Sequence, residues 1–177
     1  LINDLLDLAR IEARAGQDFR LEDLSAKGIV HAALEALAMP DGERRVTLDM
    51  PQAVPRIRVD HEKMVRALGN VITNAFKYSP DGSPVIVTVC EAIRNSRLMA
   101  GLRVIDCGIG MTPAQQERIF ERFYRADPSG NVPGTGLGMS LVKDIMDLHG
   151  GEIEIVSAPG EGTTVTLWLP VMDTATT

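Results

Sequence analysis

Two amphipathic helical segments, separated by strand-like runs, most constrain the fold of this chain. Asp60 can cap a helix of about eighteen residues that ends at Tyr78, and a second helix spans residues 137–148. The first helix has an apolar stripe, formed by Met64, Leu68, Ile72 and Ala75. Because the strand-like runs fall in unequal clusters rather than in strict βαβ alternation, we predict an α/β two-layer sandwich with a mixed sheet on helices.

The remaining segments give shorter elements. Short strands are predicted at residues 19–21, 46–50 and 57–59, with a helix from a Ser25 cap to about residue 38. Turns are predicted at residues 40–42 and 79–82, and a short helix at about 115–124. Strands at 85–93 and 102–106 are candidates to pair, and a last hairpin joins 153–157 to 163–169.

Composition narrows the class of protein. The 177 residues suit one domain, and 45% apolar residues suffice to fill a core. A net charge of −6 argues against broad adhesion to nucleic acid, and no apolar run is long enough to span a bilayer, so we expect neither nucleic-acid nor membrane contact. Cys90 and Cys107 are too few for a structural disulfide framework, which favours a reducing, cytoplasmic location, with an inner-membrane anchor of the full-length protein left open.

The chain starts inside a helical pattern without an initiator methionine, so we expect a fragment of a longer protein. The sequence LINDLLDLARIEARA at 1–15 carries two adjoining apolar stripes, too wide for a lone surface helix. Residues 1–16 are interpreted as the end of a helical bundle, although a terminal helix packed on its own domain is the alternative. The divisions that follow are a main domain at 17–171 and a tail at 172–177.

Polar residues line one face of the first long helix, in GNVITNAFKYSP at 69–80. Asn70, Asn74 and Lys77 recur at i, i+4 and i+7. Asparagine is a poor helix former, and its amide oxygen suits Mg²⁺ while a lysine ammonium suits phosphate. A solvated polar face is the plain alternative and is favoured for this segment taken alone.

Three further segments combine glycines with polar residues. In VIDCGIGM at 104–111, Asp106 ends a strand, where its carboxylate can accept a hydrogen bond from an exocyclic amine such as that of adenine. In PGTGLGMSLVKDIMDLHGG at 133–151, glycines precede a helix whose N-terminus suits a phosphate chain, without Walker or dinucleotide spacing. In GEGTTVTLWLP at 160–170, Thr163 follows a glycine turn. Ordinary turns explain the first and last of these equally well.

Taken in order, these segments resemble the catalytic ATP-binding domain of bacterial sensor histidine kinases over roughly residues 17–170. The matches are an N box (Asn70, Asn74, Lys77, Tyr78), a first glycine box (Asp106, Gly108, Gly110), an F box (ERIFERFYRAD at 117–127), a second glycine box (Gly134, Gly136, Gly138) and a third (Gly160, Gly162, Thr163). Residues 1–15 are similar to the end of that family's dimerisation and phosphoacceptor bundle.

The resemblance implies a Bergerat-type sandwich that holds Mg-ATP beneath a lid at 112–135. Asp106 then accepts a hydrogen bond from the adenine amine, which Thr163 supports through water. Asn74 coordinates Mg²⁺, and Asn70 lies beside the phosphates. Lys77 contacts the phosphate chain, Tyr78 flanks the nucleotide, and Arg122 or Arg125 reaches the γ-phosphate. Further nucleotide contacts are expected at Met111, Thr135, Leu137 and Met139. Phe120, Phe123 and Tyr124 anchor the lid, or pack as ordinary core residues.

The expected phosphoryl acceptor is a protein histidine and not water. ATP-hydrolysing relatives carry a glutamate one turn before the Mg-binding asparagine, where this chain has Asn70, so transfer to a protein histidine is the consistent reaction. His31 and His61 are interpreted as surface residues and His149 as a helix-end residue favoured by the dipole. The expected protein is a histidine kinase core, homodimeric when complete, that acts on its own bundle and a response regulator receiver domain. A serine kinase and a nucleotide-binding regulatory module are the alternatives.

Overall fold

A computed structural model of the chain describes residues 19–37, 46–126 and 134–172. Within these ranges the helices are α1 (Ala26–Ala36), α2 (His61–Tyr78), α3 (Pro113–Arg118) and α4 (Gly138–Leu148). The strands are β1 (Glu22–Ser25), β2 (Val46–Asp49), β3 (Arg56–Val59), β4 (Val85–Arg94), β5 (Arg97–Ile105), β6 (Glu152–Ser157) and β7 (Thr163–Pro170). None of the described helices is both long and apolar enough to cross a bilayer.

The sheet is mixed, as predicted. Five strands lie in the order β2-β4-β5-β7-β6. The β2–β4 pair is parallel, whereas the other three neighbouring pairs are antiparallel. Strands β1 and β3 form a separate antiparallel ladder, which a bridge between Ile57 and Val171 joins to the end of β7.

The core lies between one face of the sheet and helices α1, α2 and α4, which confirms the two-layer α/β sandwich. The predicted stripe of α2 is buried along its length, from Met64 to Ala75. It belongs to one cluster with alternate residues of the central strands, such as Leu102 and Leu167, and with Leu141 of α4. Each such side chain contributes about 1.5–3 kcal/mol through removal from water.

Helix α2 has the bounds that its capping signal predicts. The Asp60 carboxylate accepts the N–H of Lys63, and the helix ends at Tyr78. A cap of this kind contributes about 1 kcal/mol to stability. Ser25 occupies the N-cap of α1 without a side-chain bond, and the N–H of Ala26 is donated to the carbonyl of Pro55.

The strand predicted at residues 19–21 is wrong, since β1 begins at Glu22. The ring of Phe19 packs edge-on against His149 with 4.6 Å between centroids, and the N–H of Arg20 is donated to Asp60. The segment is therefore attached to helix ends instead of to a strand.

The helix predicted at about 115–124 is also too long. Thr112 and Gln115 form a capping box at the start of α3, which ends at Arg118. Phe123 has a left-handed backbone with φ of 63°, and its N–H is donated to the carbonyl of Gly136. Because this hydrogen bond joins Phe123 to the loop that precedes α4, the chain must leave the helical path before Phe123.

Strand β5 begins at Arg97 rather than at residue 102, after a hairpin in which Asn95 and Ser96 both have positive φ. It ends at Ile105, so Cys107 lies beyond the strand and is exposed. Predictions for residues 1–16, for the turn at 40–42, for the F-box residue Asp127 and for the tail beyond residue 172 fall outside the described residues, as does the middle of the predicted lid.

Candidate functional site

A cleft opens between α2 and the central strands, beside the loop that follows β5. Its open space is about 590 Å³, with solvent at the mouth included. The walls are mainly apolar and include Val71, Val104 and Val165. The predicted site residues among its lining are Asn74, Tyr78, Asp106, Gly110, Met111, Met139 and Thr163.

Asp106 is the acidic residue of this cleft. Its Oδ1 accepts the N–H of Gly108 at 2.8 Å and the N–H of Thr163 at 3.0 Å. Burial raises the pKa of the Asp106 carboxyl, although these two hydrogen bonds oppose the change. Because Oδ1 is engaged by the protein, Oδ2 is the oxygen left to receive a donor from a ligand in the cleft.

Ser157 joins the loops on both sides of Asp106, and sequence reasoning missed it. Its Oγ accepts the N–H of Met111 at 2.9 Å and donates to the carbonyl of Gly162 at 2.9 Å. The hydroxyl of Thr163 lies 2.8 Å from Ser157 Oγ and donates its hydrogen to that oxygen. The lone pairs of Thr163 Oγ1 therefore stay available to a ligand. The sequence signal was weak, because Ser157 ends an ordinary strand.

Two glycines permit the close approach of these loops. Gly110 and Gly162 have φ of +65° and +77°. A Cβ at Gly110 would overlap the carbonyl of Ala158, and one at Gly162 would overlap the carbonyl of Asp106. Any other residue would force the two loops apart and displace the carboxylate.

Met139 of α4 lines the cleft, and the N-terminus of this helix lies beside it. Leu137 occupies the N-cap without a side-chain bond, so the first-turn N–H groups of Gly138, Met139 and Ser140 lack a capping acceptor. Asn70 lies against this turn, since a Cβ on Gly138 would be 3.9 Å from its Cγ. The Nδ2 of Asn70 is buried with no partner among the described residues. Free donors with a positive helix end suit an anion such as phosphate.

Lys77 and Arg125 bring two positive charges to this region. A Cβ on Gly134 would overlap Lys77 Nζ, so the second glycine box passes directly over the ammonium, which lies 5.3 Å from the centre of the Tyr78 ring. Burial lowers the pKa of Lys77, and the nearby charge of Arg125 lowers it further. A bound anion would relieve this repulsion.

The structure gives the two arginine candidates different surroundings. A guanidinium nitrogen of Arg122 lies 3.7 Å from Asp144 of α4, whereas Arg125 is the one beside Lys77. Of the three F-box aromatics, Phe120 packs against the core, while Phe123 is 64% exposed. Arg118 stacks over the Tyr124 ring at 4.3 Å.

The remaining predicted residues lie in the second glycine box. Thr135 accepts the N–H of Leu137 through its hydroxyl, and Gly136 accepts the N–H of Phe123. The Leu137 side chain is fully buried, so only its backbone can meet a ligand. Met139, by contrast, contributes to the cleft wall.

The available oxygen donors fit a magnesium ion held jointly with phosphates. Asn74 projects into the cleft, and its amide oxygen is a hard neutral ligand. The described residues contain no group of three or more His, Cys, Asp or Glu able to enclose a metal by themselves. Mg²⁺ typically uses one or two protein oxygens and completes its shell with phosphate and water.

This arrangement of sheet, cleft and helix N-terminus is that of a nucleotide-binding ATPase fold. Residues 59–173 match the family described as histidine kinase-, DNA gyrase B-, and HSP90-like ATPase. The chain belongs to this family, and it is a catalytic ATP-binding domain of the sensor histidine kinase type.

Individual relatives support that assignment. The chain is 34% identical over 176 residues to the sensor-like histidine kinase SenX3 of Mycobacterium tuberculosis, covering 97% of this chain and 42% of the relative. It is 32% identical over 174 residues to the sensor histidine kinase WalK of Bacillus subtilis, covering 96% and 28%. The chain therefore spans less than half the length of these curated relatives.

Solved structures share the fold. The mycobacterial sensor histidine kinase MprB superimposes with a TM-score of 0.69 at 29% identity, over 86% of this chain and 98% of that one. Full-length ShkA, solved in complex with AMPPNP, superimposes with a TM-score of 0.78 at 26% identity, over 99% of this chain and 36% of that one.

Proposed function

We propose that this chain binds Mg-ATP and transfers its γ-phosphoryl group to a histidine on the helical bundle of a longer sensor kinase. The observation that carries the proposal is one cleft with two chemically different ends. Asp106 lies in the apolar part of the cleft, which is suited to a base. Asn74 and Met139 line the cleft towards the α4 N-terminus, where Asn70 and Lys77 lie outside the lining and provide surroundings suited to phosphates.

Adenine recognition rests on Asp106. Its Oδ2 accepts the 6-amino group of the base, while Oδ1 remains bound to the backbone of Gly108 and Thr163. The Thr163 hydroxyl supports the base through a lone pair, and Met111 and Met139 contribute apolar contact. A 6-oxo base would place an acceptor against the carboxylate, which disfavours guanine.

Phosphate positioning rests on the other end. The Asn74 amide oxygen would hold Mg²⁺, which neutralises part of the phosphate charge when bound. Asn70, the first-turn N–H groups of α4 and Lys77 orient the phosphate chain, and Arg125 approaches from the F-box side. Such positioning and charge neutralisation are most of what phosphoryl transfer requires from a protein.

The acceptor is a histidine because the chain supplies no base for water at the corresponding position. Asn70, one turn before Asn74, cannot take a proton at neutral pH. A neutral imidazole needs no base at the attacking atom, because that ring nitrogen carries no proton, and the hydrogen on the other ring nitrogen is released to solvent after the transfer. That nitrogen attacks the γ-phosphorus, the bond from phosphorus to the β–γ bridging oxygen breaks, and ADP leaves.

The finer assignments belong to the same proposal. SenX3 is a sensor-like histidine kinase and WalK is a sensor histidine kinase. We therefore propose a homodimeric parent protein that passes the phosphoryl group to a response regulator receiver domain. We place the domain in the cytoplasm, where ATP is available, with residues 1–16 as the end of the bundle and the predicted lid at 112–135 over the nucleotide.

Calorimetry on Asn74→Ala tests the metal and nucleotide assignment. We expect this variant to lose affinity for Mg-ATP much more than for Mg-free ADP, because the amide oxygen acts on the metal. Thr73→Ala is the matched control, since Thr73 is the exposed neighbour on the same helix. Equal losses for both nucleotides in Asn74→Ala would show that the metal is held elsewhere.

A further inference from the structure

The imidazole of His149 stands where three segments of the chain meet. His149 is the C-cap of α4, and its Nδ1 lies 2.7 Å from the carbonyl of Ile145 one turn earlier. Its Nε2 accepts the backbone N–H of Asp60, the N-cap of α2, at 3.0 Å. The edge of the Phe19 ring packs against it at an interplanar angle of 73°. The histidine thus contacts both helix ends and the leading segment, which we define as residues 19–21.

The side chain of Asp60 also takes part in this junction, and the residue is only 5% exposed. Its Oδ2 accepts the N–H of Arg20 at 2.9 Å, and its Oδ1 accepts the N–H of Lys63. The Lys63 ammonium lies 3.4 Å from the same carboxylate and 6.0 Å from the centre of the Phe19 ring. The leading segment is therefore bound to α2 through Asp60 and to α4 through His149.

These two helices are the ones that carry the proposed phosphate end of the cleft. Asn70, Asn74 and Lys77 lie on α2, and α4 presents its N-terminus to the same region. The leading segment connects the domain to residues 1–18. Its attachment therefore fixes the start of the described chain to the two helices that carry the cleft.

We propose that His149 is a positioning residue that latches the leading segment to both helices of the nucleotide cleft, and that protonation of its imidazole opens the latch. The latch consists of the contacts given above and does not depend on the proposed phosphoryl transfer.

The partners of the ring assign its tautomer and explain its sensitivity to protons. The Ile145 carbonyl can only accept, so Nδ1 carries the hydrogen, and the Asp60 N–H can only donate, so Nε2 must offer its lone pair. A second proton on Nε2 would set two donors against each other. The backbone N–H of Asp60 would then be buried without an acceptor, and the junction would separate.

The charged groups facing the ring among the described residues come from the first turn of α2. The Asp60 carboxylate favours the protonated imidazole and the Lys63 ammonium opposes it, while the leading segment offers a neutral ring and a backbone amide. Burial is the largest influence and lowers the pKa of His149. This is the opposite of the dipole effect expected from its position at a helix end, because desolvation of the imidazole outweighs the hydrogen bond to Ile145 and the charge of Asp60.

The direction of the pH effect follows from this lowered pKa. Histidine in an unfolded chain has a pKa of about 6.5, so an unfolded chain takes up the proton first as the pH falls. The latch is complete above that value and is lost as the pH falls towards the lower pKa of the folded state. Burial alone would raise the pKa of Asp60, but its hydrogen bonds from Arg20 and Lys63 hold it below its ordinary value. Asp60 therefore stays ionised throughout this range.

Amide hydrogen exchange followed by NMR tests the latch in this chain without nucleotide. The protection factors of the Arg20 and Asp60 amides should fall together by about threefold to tenfold, the effect of one ordinary hydrogen bond. The midpoint of this loss of protection should coincide with the protonation of His149, as followed by the NMR signals of its ring. The amides of β5 serve as the internal reference for global stability.

Variants separate the titration from packing. His149→Gln retains an acceptor for Asp60 but cannot titrate, so protection of Arg20 should persist at high pH and become independent of pH. His61→Gln is the matched control, because this exposed histidine lies next to Asp60 and makes no latch contact. In this control the protection of the Arg20 and Asp60 amides should change with pH as it does in the wild type. If His149→Gln does not fold, the wild-type series alone decides the matter.

Arg20 and Asp60 amides that keep their protection while His149 becomes protonated would overturn the latch. So would an unchanged pH response in His149→Gln. Mg-ATP binding is measured by calorimetry on the same samples at high pH. A chain that shows the latch but binds no nucleotide contradicts the proposed function alone, and one that binds nucleotide without the latch contradicts this inference alone.

Discussion

Replacing Asp106 with asparagine separates its structural role, which is to accept two backbone N–H groups, from its proposed role in binding adenine. In Asp106→Asn the amide oxygen can take the place of Oδ1 and accept the N–H groups of Gly108 and Thr163. The amide nitrogen then stands where Oδ2 was. An acceptor for the 6-amino group of adenine becomes a donor directed at another donor, while the loop that holds the residue keeps its hydrogen bonds.

The expected magnitudes differ for folding and for binding. Neutral hydrogen bonds are weaker than charge-assisted ones, but burial already disfavours the Asp106 charge and raises its pKa, so the stability change should stay within about 1 kcal/mol. Losing a hydrogen bond to a buried carboxylate costs about 1.5–3 kcal/mol, which weakens ATP binding about 10- to 150-fold. Asp106→Ala is less informative, because it leaves two backbone N–H groups without an acceptor.

Calorimetry with ATP and with ITP, whose base carries a 6-oxo group, measures the effect. The wild type should prefer ATP, and Asp106→Asn should lose or invert that preference because its new donor suits the oxo group. Asp49→Asn makes the same charge change at an exposed position of β2 and should leave the preference intact. A wild type that binds both nucleotides equally, or an Asp106→Asn variant that still prefers ATP, would refute the role of the carboxylate.

Two further predictions concern the lid and the glycine turns. Amides of residues 112–126 should gain protection from exchange when an ATP analogue binds, because the predicted lid closes over it, and protection equal to that of β5 without nucleotide would indicate a fixed loop. Gly162→Ala should lower the free energy of unfolding by at least about 2 kcal/mol, since φ is +77° and a Cβ overlaps the Asp106 carbonyl. Gly28→Ala, in open space on α1, should instead raise it by about 0.5–1 kcal/mol. Urea denaturation distinguishes these outcomes, and two variants of equal stability would contradict the argument.

Elements with strong local signals could be predicted from the sequence. Helix α2 begins at an aspartate cap and ends before a proline turn, so its bounds follow from local chemistry. The last hairpin and α4 are similarly bounded by glycines. The cleft residues Asn74, Asp106 and Thr163 were predicted only through the resemblance of the ordered segments to a known family, because each segment alone fits a polar helix face or an ordinary turn.

The features that escaped prediction depend on contacts distant in sequence. Residues 19–21 have the composition of a strand, but Phe19 finds His149 and Arg20 finds Asp60 instead. Phe123 leaves the helical path because its N–H reaches Gly136. His149 follows burial rather than the helix dipole, and no local pattern reveals that burial.

Transfer from γ-labelled ATP to a separate helical bundle that bears the acceptor histidine tests the central claim most directly. The chain alone should remain unlabelled, because His31 and His61 are isolated surface residues and both ring nitrogens of His149 are hydrogen-bonded. Adding the bundle should produce label that is lost in acid and stable in alkali, as phosphohistidine is. The labelling should be weak, because separate molecules lack the effective concentration of a linked chain. Strong labelling of the chain alone, or label that survives acid as phosphoserine does, would contradict histidine kinase activity.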